Sequence, residues 1–181
     1  MSNLRLLNET IASSVSSLEI TDVFTSDFDI YKIEVEADDY DANSRLTIAL
    51  INSSGSVEQS GSNDYENALL YRRTDNTYNE LRSTSDNVLF ERFLGFFDYN
   101  NGSRQGGAGI FYVFNPTNSS TFTLALGQSQ NDFSTGKSGG MTGVGNLEQA
   151  DFITGFQLLQ DGYTATYGEI KVRCYGIRVD T

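Results

Sequence analysis

The chain has 181 residues, 24 acidic and 12 basic side chains, a formal charge of −12 and an apolar fraction of 38%, with no histidine, no tryptophan, one cysteine and one proline. Without an imidazole there is no Ser-His-Asp or Cys-His nucleophile system and no histidine metal ligand, and a single thiol makes neither an internal disulfide nor a multi-cysteine metal cluster. The acidic balance opposes nucleic-acid phosphate and anionic lipid, no run approaches the ~20 apolar residues of a bilayer span, and 12 Phe with 10 Tyr are too many for a disordered chain.

The length suits one domain over residues 1–181. Its start, Met1 to Leu7, lacks the charged, apolar and small-residue regions of a signal peptide, so ordinary secretion is not expected. From there period-two alternation recurs to the end, and no stretch of 12 or more residues holds a 3.6-residue period, which predicts an all-β protein. Ile11 to Ile20 reads as a first strand. Tyr31, Ile33 and Val35 alternate with Lys32, Glu34 and Glu36, the pattern of a strand with one face on a core and one in water. Leu46, Ile48 and Leu50 repeat it, with Ala49 and Ile51 making the second face partly apolar. Tyr65 to Arg73 fits a strand or a short helix. Further strands are expected at Val88 to Phe97, Ile110 to Phe114, Phe122 to Gly127, Phe152 to Leu159 and Gly168 to Val179, between Gly, Asn, Asp and Ser turns. Asn115-Pro116-Thr117 is a turn that should join its flanking strands as a hairpin. About eight to nine strands without a fixed repeat predict a jelly-roll-like antiparallel β-sandwich.

Three stretches read as loops: Ser53 to Asp64, Asn100 to Gly109 and Gln128 to Gly145. The third is the best address for a binding surface, because long loops in compact domains tend to be functional. Gly136-Lys137-Ser138 lacks the spaced glycine and following helix of a phosphate loop. Asp39, Asp41 and Asn43 have the alternating oxygens of a calcium loop, but Ser44 and Leu50 stand where a glycine and a bidentate glutamate are required. An ordinary acidic turn is the preferred reading, with a weak calcium site left open. No cofactor is implied. Cys174 reads as a packed core residue. Phe93, Leu94, Phe96 and Phe97 are too dense for one strand face, so Phe93, Phe96 and Phe97 are candidates for a subunit contact.

Three blocks carry a resemblance: TDVFTSDFDIYKI from Thr21 to Ile33, FYVFNPT from Phe111 to Thr117, and ITGFQ from Ile153 to Gln157 followed by GEIKVRCYGIRV from Gly168 to Val179. In these the chain resembles β-rich structural proteins of the virions of marine and cyanobacterial tailed phages. Arg173 and Cys174 depart from that pattern as a two-residue insertion, which preserves strand facing. The resemblance implies a non-enzymatic virion protein, displayed as a head decoration, head fibre or tail-fibre component. It implies capsid or tail proteins as partners, a homotrimer, and residues 1–17 as an anchoring or exchanged segment. The alternative is a carbohydrate-binding receptor module of a fibre tip, with Tyr99, Arg104 and Gln105 as the residues that hold a host-surface glycan. Nucleic acid and membrane insertion are not expected in either case.

Overall fold

The computed structural model describes residues 3–40, 45–58, 64–74, 78–94, 105–134, 137–161 and 167–178. These residues form strands and turns only. In chain order the strands are β1 Leu4–Val15, β2 Ser17–Ile20, β3 Ile30–Tyr40, β4 Arg45–Asn52, β5 Tyr65–Arg73, β6 Tyr78–Asp86, β7 Phe90–Leu94, β8 Gln105–Phe114, β9 Leu124–Ser134, β10 Lys137–Leu147, β11 Ile153–Asp161 and β12 Tyr167–Ile177.

They build two antiparallel sheets, one of eight strands in the order β1-β12-β3-β8-β9-β10-β5-β6 and one of four in the order β2-β11-β4-β7. With the hairpins β5/β6 and β9/β10 set aside, what remains is β1-β12-β3-β8 facing β2-β11-β4-β7. That is the two-Greek-key pairing of a jelly roll. The expected sandwich is therefore the observed one, and the strand count of eight to nine is corrected to twelve, because the run expected as one strand over Ile11 to Ile20 is divided between β1 and β2 and because β6 and β10 were not expected. Both hairpins, inserted into the frame, add to the same edge of the same sheet, beyond β8.

Local chemistry explains the elements. In β3 the side chains of Tyr31, Ile33, Val35 and Ala37 are fully buried, while Lys32, Glu34, Glu36 and Asp38 lie on the other face. The single strand expected over Ile11 to Ile20 is broken at Ser16, two residues after Ser14 takes φ 57°. Its first part pairs with β12 and its second with β11, so one run of sequence feeds both sheets. The anchoring segment expected at residues 1–17 thus holds β1, paired with its own chain's β12. Tyr65 to Arg73 is a strand, because burying Tyr65, Asn67, Leu69 and Tyr71 on one face satisfies the period of two. The 115–117 turn joins β8 to β9 with Phe114 opposite Leu124. Asn115 sits there at φ 55°, in the left-handed region that asparagine tolerates.

Other boundaries shift. The strand expected over 88–97 is described as Phe90–Leu94, β8 already begins at Gln105 within a stretch read as loop, and most of 128–145 is hairpin β9/β10. Beside the expected insertion at Arg173 and Cys174, β12 runs against β3 without a register shift from Tyr167 to Ile177. The irregularity lies across from it, in β1 between Leu6 and Asn8. Cys174 is buried, as expected, and burial pushes its thiol up to about 12.

The core centres on Phe111, whose ring meets Phe93 at 5.3 Å, Phe156 at 5.5 Å and Phe90 at 6.2 Å, all edge-on. Such pairs add about 0.5–1.5 kcal/mol each beyond their buried area. Gly109 makes room for this cluster, since a Cβ there would stand 2.7 Å from the Phe93 ring. At the other end of the sandwich the Phe28 ring lies on Gly176, where a Cβ would come within 2.6 Å.

Candidate functional site

The outer face of the eight-stranded sheet is assembled by register. One cross-strand row runs Glu36, Ala108, Gln130, Gly140, Arg72 over β3, β8, β9, β10 and β5, and the next runs Glu34, Ile110, Gln128, Thr142, Leu70. Because opposed residues in a ladder share a face, these side chains form a continuous surface about 19 Å across at ~4.8 Å per strand. Ala108 and Gly140 have little or no side chain, so the floor drops on either side of Gln130. The result is a shallow groove of about 590 Å³. It shares Arg72, Ser129 and Gln130 with a recess of about 400 Å³ toward Arg73 and Thr74, and Glu36, Ala108 and Gln130 with one of about 380 Å³ toward Asp38 and Gly106.

The groove's walls are electrostatically unlike. On the β3/β12 side Lys32 Nζ lies 2.7 Å from Glu34 Oε1 and Arg173 Nη1 lies 3.1 Å from Glu36 Oε1. Glu9 of β1 is 3.7 Å from both Lys171 and Arg173, and the Tyr175 hydroxyl donates to Glu34 at 3.2 Å. The hydrogen bond from Lys32 holds the Glu34 carboxyl below its ordinary value, and the same bond raises the Lys32 ammonium. Each of these acids is paired with a cation, which suits a structural network better than proton transfer. On the β5/β10 side Arg72 Nη2 donates to Thr142 Oγ1 at 2.9 Å. The groove floor between these walls offers Gln128 and Gln130, both exposed, each an amide with donors and an acceptor.

Toward the β8/β9 turn the same face becomes apolar. Phe114, Leu124, Leu126, Val144 and Ala68 line a hollow of about 710 Å³ rimmed by Glu66, Arg82 and Asn146. Tyr112 of β8 stands between Lys32 and Leu126 in its row and marks the transition.

The residues expected from sequence fall elsewhere. Gln105 opens β8 opposite Tyr40 with its backbone; its side chain, and Tyr99 and Arg104 altogether, lie outside the described residues. Phe96, Phe97, Asp41 and Asn43 lie outside them too, as does the side chain of Asp39. Phe93, a candidate subunit contact, is 0% exposed and stacked on Phe90 at 5.9 Å, so its ring belongs to this chain's own core. Among the described residues no group of three acidic or thiol side chains is placed to hold a metal. Sequence reasoning missed Arg72, Gln128, Gln130 and Thr142. The signal was present in β9, where Gln128 and Gln130 alternate with Gly127, Ser129 and Asn131 by size and not by hydropathy.

No family model matches this chain, and no curated protein matches it. Among solved structures it is similar to a mutant of the alginate lyase Aly36B in complex with an alginate trisaccharide, at 10% identity and TM-score 0.38, covering 97% of this chain and 88% of that one. The marine PL-14 alginate lyase from Aplysia kurodai follows at 8% identity and TM-score 0.31, with coverages of 95% and 82%. Neisserial surface protein A is matched at 10% identity and TM-score 0.22, over 72% of this chain and 96% of that one. Likeness at this level identifies no function; the jelly-roll class rests on the strand order itself.

Proposed function

We propose that this chain is a non-enzymatic jelly-roll protein of a tailed-phage particle, displayed at the particle surface, and that its eight-stranded sheet holds a host-surface glycan across the outer face. The observation that carries the glycan reading is a division within the chain. The blocks that resemble virion proteins fall on the frame, in β3, β8, β11, β12 and the adjoining turns. Arg72, Gln128, Gln130 and Thr142 fall on the two inserted hairpins. A recognition surface grafted onto a generic frame has this distribution.

The chemistry of the groove suits a saccharide. Amide, hydroxyl and guanidinium groups across several strands match a chain of hydroxyls, while Ile110, Tyr112 and Leu126 offer apolar surface for the less polar faces of sugar rings. The shallow, open shape suits an extended polymer more than a small enclosed substrate. The virion context is supported by the sequence blocks alone.

The test is binding of purified protein to an array of bacterial surface polysaccharides, with reducing ends assayed in parallel. Retention on intact glycans, reduced at least tenfold by combined Gln128→Ala and Gln130→Ala with an unchanged melting temperature, is the expected result. Silence across the array overturns the glycan reading, and release of reducing ends overturns the non-enzymatic one. Phage particles lacking the chain that keep normal stability and normal adsorption would overturn the virion role.

A further inference from the structure

The row Glu36, Ala108, Gln130, Gly140, Arg72 continues across one more strand, because Arg72 of β5 stands opposite Tyr78 of β6. Opposed residues of a ladder share a face, with Cβ atoms about 4.5–5.5 Å apart, so the row ends in a guanidinium beside an aromatic ring. Tyr78 is 73% exposed, the most exposed of the large apolar side chains described. Its ring therefore adds little to the core. It presents an apolar face and a polar hydroxyl to solvent, at the same edge of the groove as Arg72.

Charge sets Arg72 apart from the other cations of this face. Lys32, Lys171, Arg173 and Arg82 are ion-paired with Glu34, Glu9, Glu36 and Glu80. Among the described residues the Arg72 guanidinium has one partner, the neutral Thr142 hydroxyl at 2.9 Å. A guanidinium carries five N–H donors in a planar fork that matches a carboxylate, and Thr142 takes one of them. Arg72 lines both the groove and the recess toward Thr74, so it borders the path of any chain that runs out of the groove over β5. The acids of the far wall, Glu34 and Glu36, are about 19 Å away at ~4.8 Å per strand, more than two screening lengths of about 8 Å at physiological salt. Glu80, opposite Leu70 in the adjoining row, is taken by Arg82. The charge on Arg72 is therefore locally uncancelled, in a chain whose formal charge is −12.

We propose that the groove selects acidic glycans, Arg72 taking the carboxylate of a uronate residue by a two-point contact while Tyr78 lies against a sugar ring beside it. This inference rests on the glycan reading above and adds the charge of the ligand, which the net charge of the chain alone would set as neutral. A uronate carboxylate is bonded directly to a ring carbon, so charge and ring lie side by side, as Arg72 and Tyr78 do. A sulfate or phosphate ester is held one oxygen further from the ring and suits that spacing less well.

The test is binding of the full chain to uronate-containing bacterial polysaccharides, each in its native form and with its carboxyl groups reduced to primary alcohols, a change that removes the charge and keeps the backbone and linkages. The native form should be retained about tenfold more tightly or better, the size of a charge-assisted contact. In Arg72→Gln the native-to-reduced ratio should collapse toward one, and in Arg72→Lys, which keeps the charge and loses the fork, it should fall partway. Tyr78→Ala should weaken both forms alike, because contact with a ring does not depend on the carboxylate. Both side chains are exposed, and melting temperatures check that the variants fold; the ratio measured on the unaltered chain decides the matter if they do not. Equal retention of native and reduced polymers, a ratio that survives Arg72→Gln, or a preference for sulfated or phosphorylated polymers over carboxylated ones overturns the proposal and leaves a glycan groove in place. Silence toward every polymer, charged and neutral, overturns the glycan reading and this inference with it.

Discussion

Truncating Phe93 separates a core role from the surface role that the density of aromatic residues suggests. Its side chain is 0% exposed, lies 5.3 Å from Phe111 and 5.9 Å from Phe90 centroid to centroid, and presses on Gly109. Phe93→Ala removes the transfer free energy of a ring and leaves a cavity, together about 3–5 kcal/mol. The glycine that accommodates the ring has no side chain to relax into the void, which places the cost in the upper half of that range. Against a total stability of about 5–15 kcal/mol, the variant folds with a narrow margin. With a urea dependence of about 2 kcal/mol per molar, its midpoint falls by about 2 M. At about 2–4 °C per kcal/mol for a chain of this size, its melting temperature falls by about 10 °C or more. Phe93→Leu, which keeps most of the volume, costs about 1–2 kcal/mol. The assay is urea unfolding followed by circular dichroism at two protein concentrations tenfold apart. A loss below about 1 kcal/mol, or one that appears only on dilution together with a change of mass, would refute the core assignment.

Gly176→Ala should cost about 1–3 kcal/mol by overpacking, because the new methyl meets the Phe28 ring; the same urea assay reads it, and Gly176→Ala combined with Phe28→Leu should recover part of the loss. Burial raises the Glu58 carboxyl above its ordinary value of 4.5, against the hydrogen bond from Asn52 that lowers it, and the nearby Asp151 and Asp64 raise it further. An acid whose folded-state value is raised binds more protons folded than unfolded, so its contribution to stability is lost as pH rises from 4.5 through the folded value. Glu58→Gln should therefore stabilise the protein near pH 7 more than near pH 4; melting temperatures at the two pH values check this, and an equal shift at both would contradict it. With its thiol near 12, Cys174 holds only about 10⁻⁴ thiolate at pH 8, so a disulfide reagent should label it after denaturant unfolding and not before.

Hydropathy made the frame legible and hid the insertions. In β3 the apolar period of two marks both the strand and its buried face, because Tyr31, Ile33 and Val35 meet the other sheet while their neighbours meet water. Past Gly127, the β9/β10 hairpin gives no such signal. Its inward residues include Gly127, Ser129 and Asn131, and small side chains suffice where the rings of Phe90 and Phe93 reach across from β7 to fill the space, as the close approach of both to Gly127 shows. Without alternating large residues, the stretch reads as a loop. For β6 the reason differs: an edge strand whose residues run largely exposed is stabilised by its ladder to β5 and by little apolar burial, so its sequence is nearly all polar. Gln128 to Gly145, read as a loop, is for the most part a paired hairpin in the sheet. The groove itself was invisible because it depends on register between strands far apart in sequence: Arg72 and Gln130 are brought into one row by β10 alone.

The most direct test of the central claim is to map the bound face by NMR, titrating an oligosaccharide of the retained glycan into labelled protein and following backbone and side-chain amides. The account predicts shifts concentrated at Arg72, Gln128, Gln130 and Thr142 and fading toward β2, β4, β7 and β11. Shifts concentrated on the four-stranded sheet, or a bound glycan that leaves the β5, β9 and β10 amides unmoved, would contradict it.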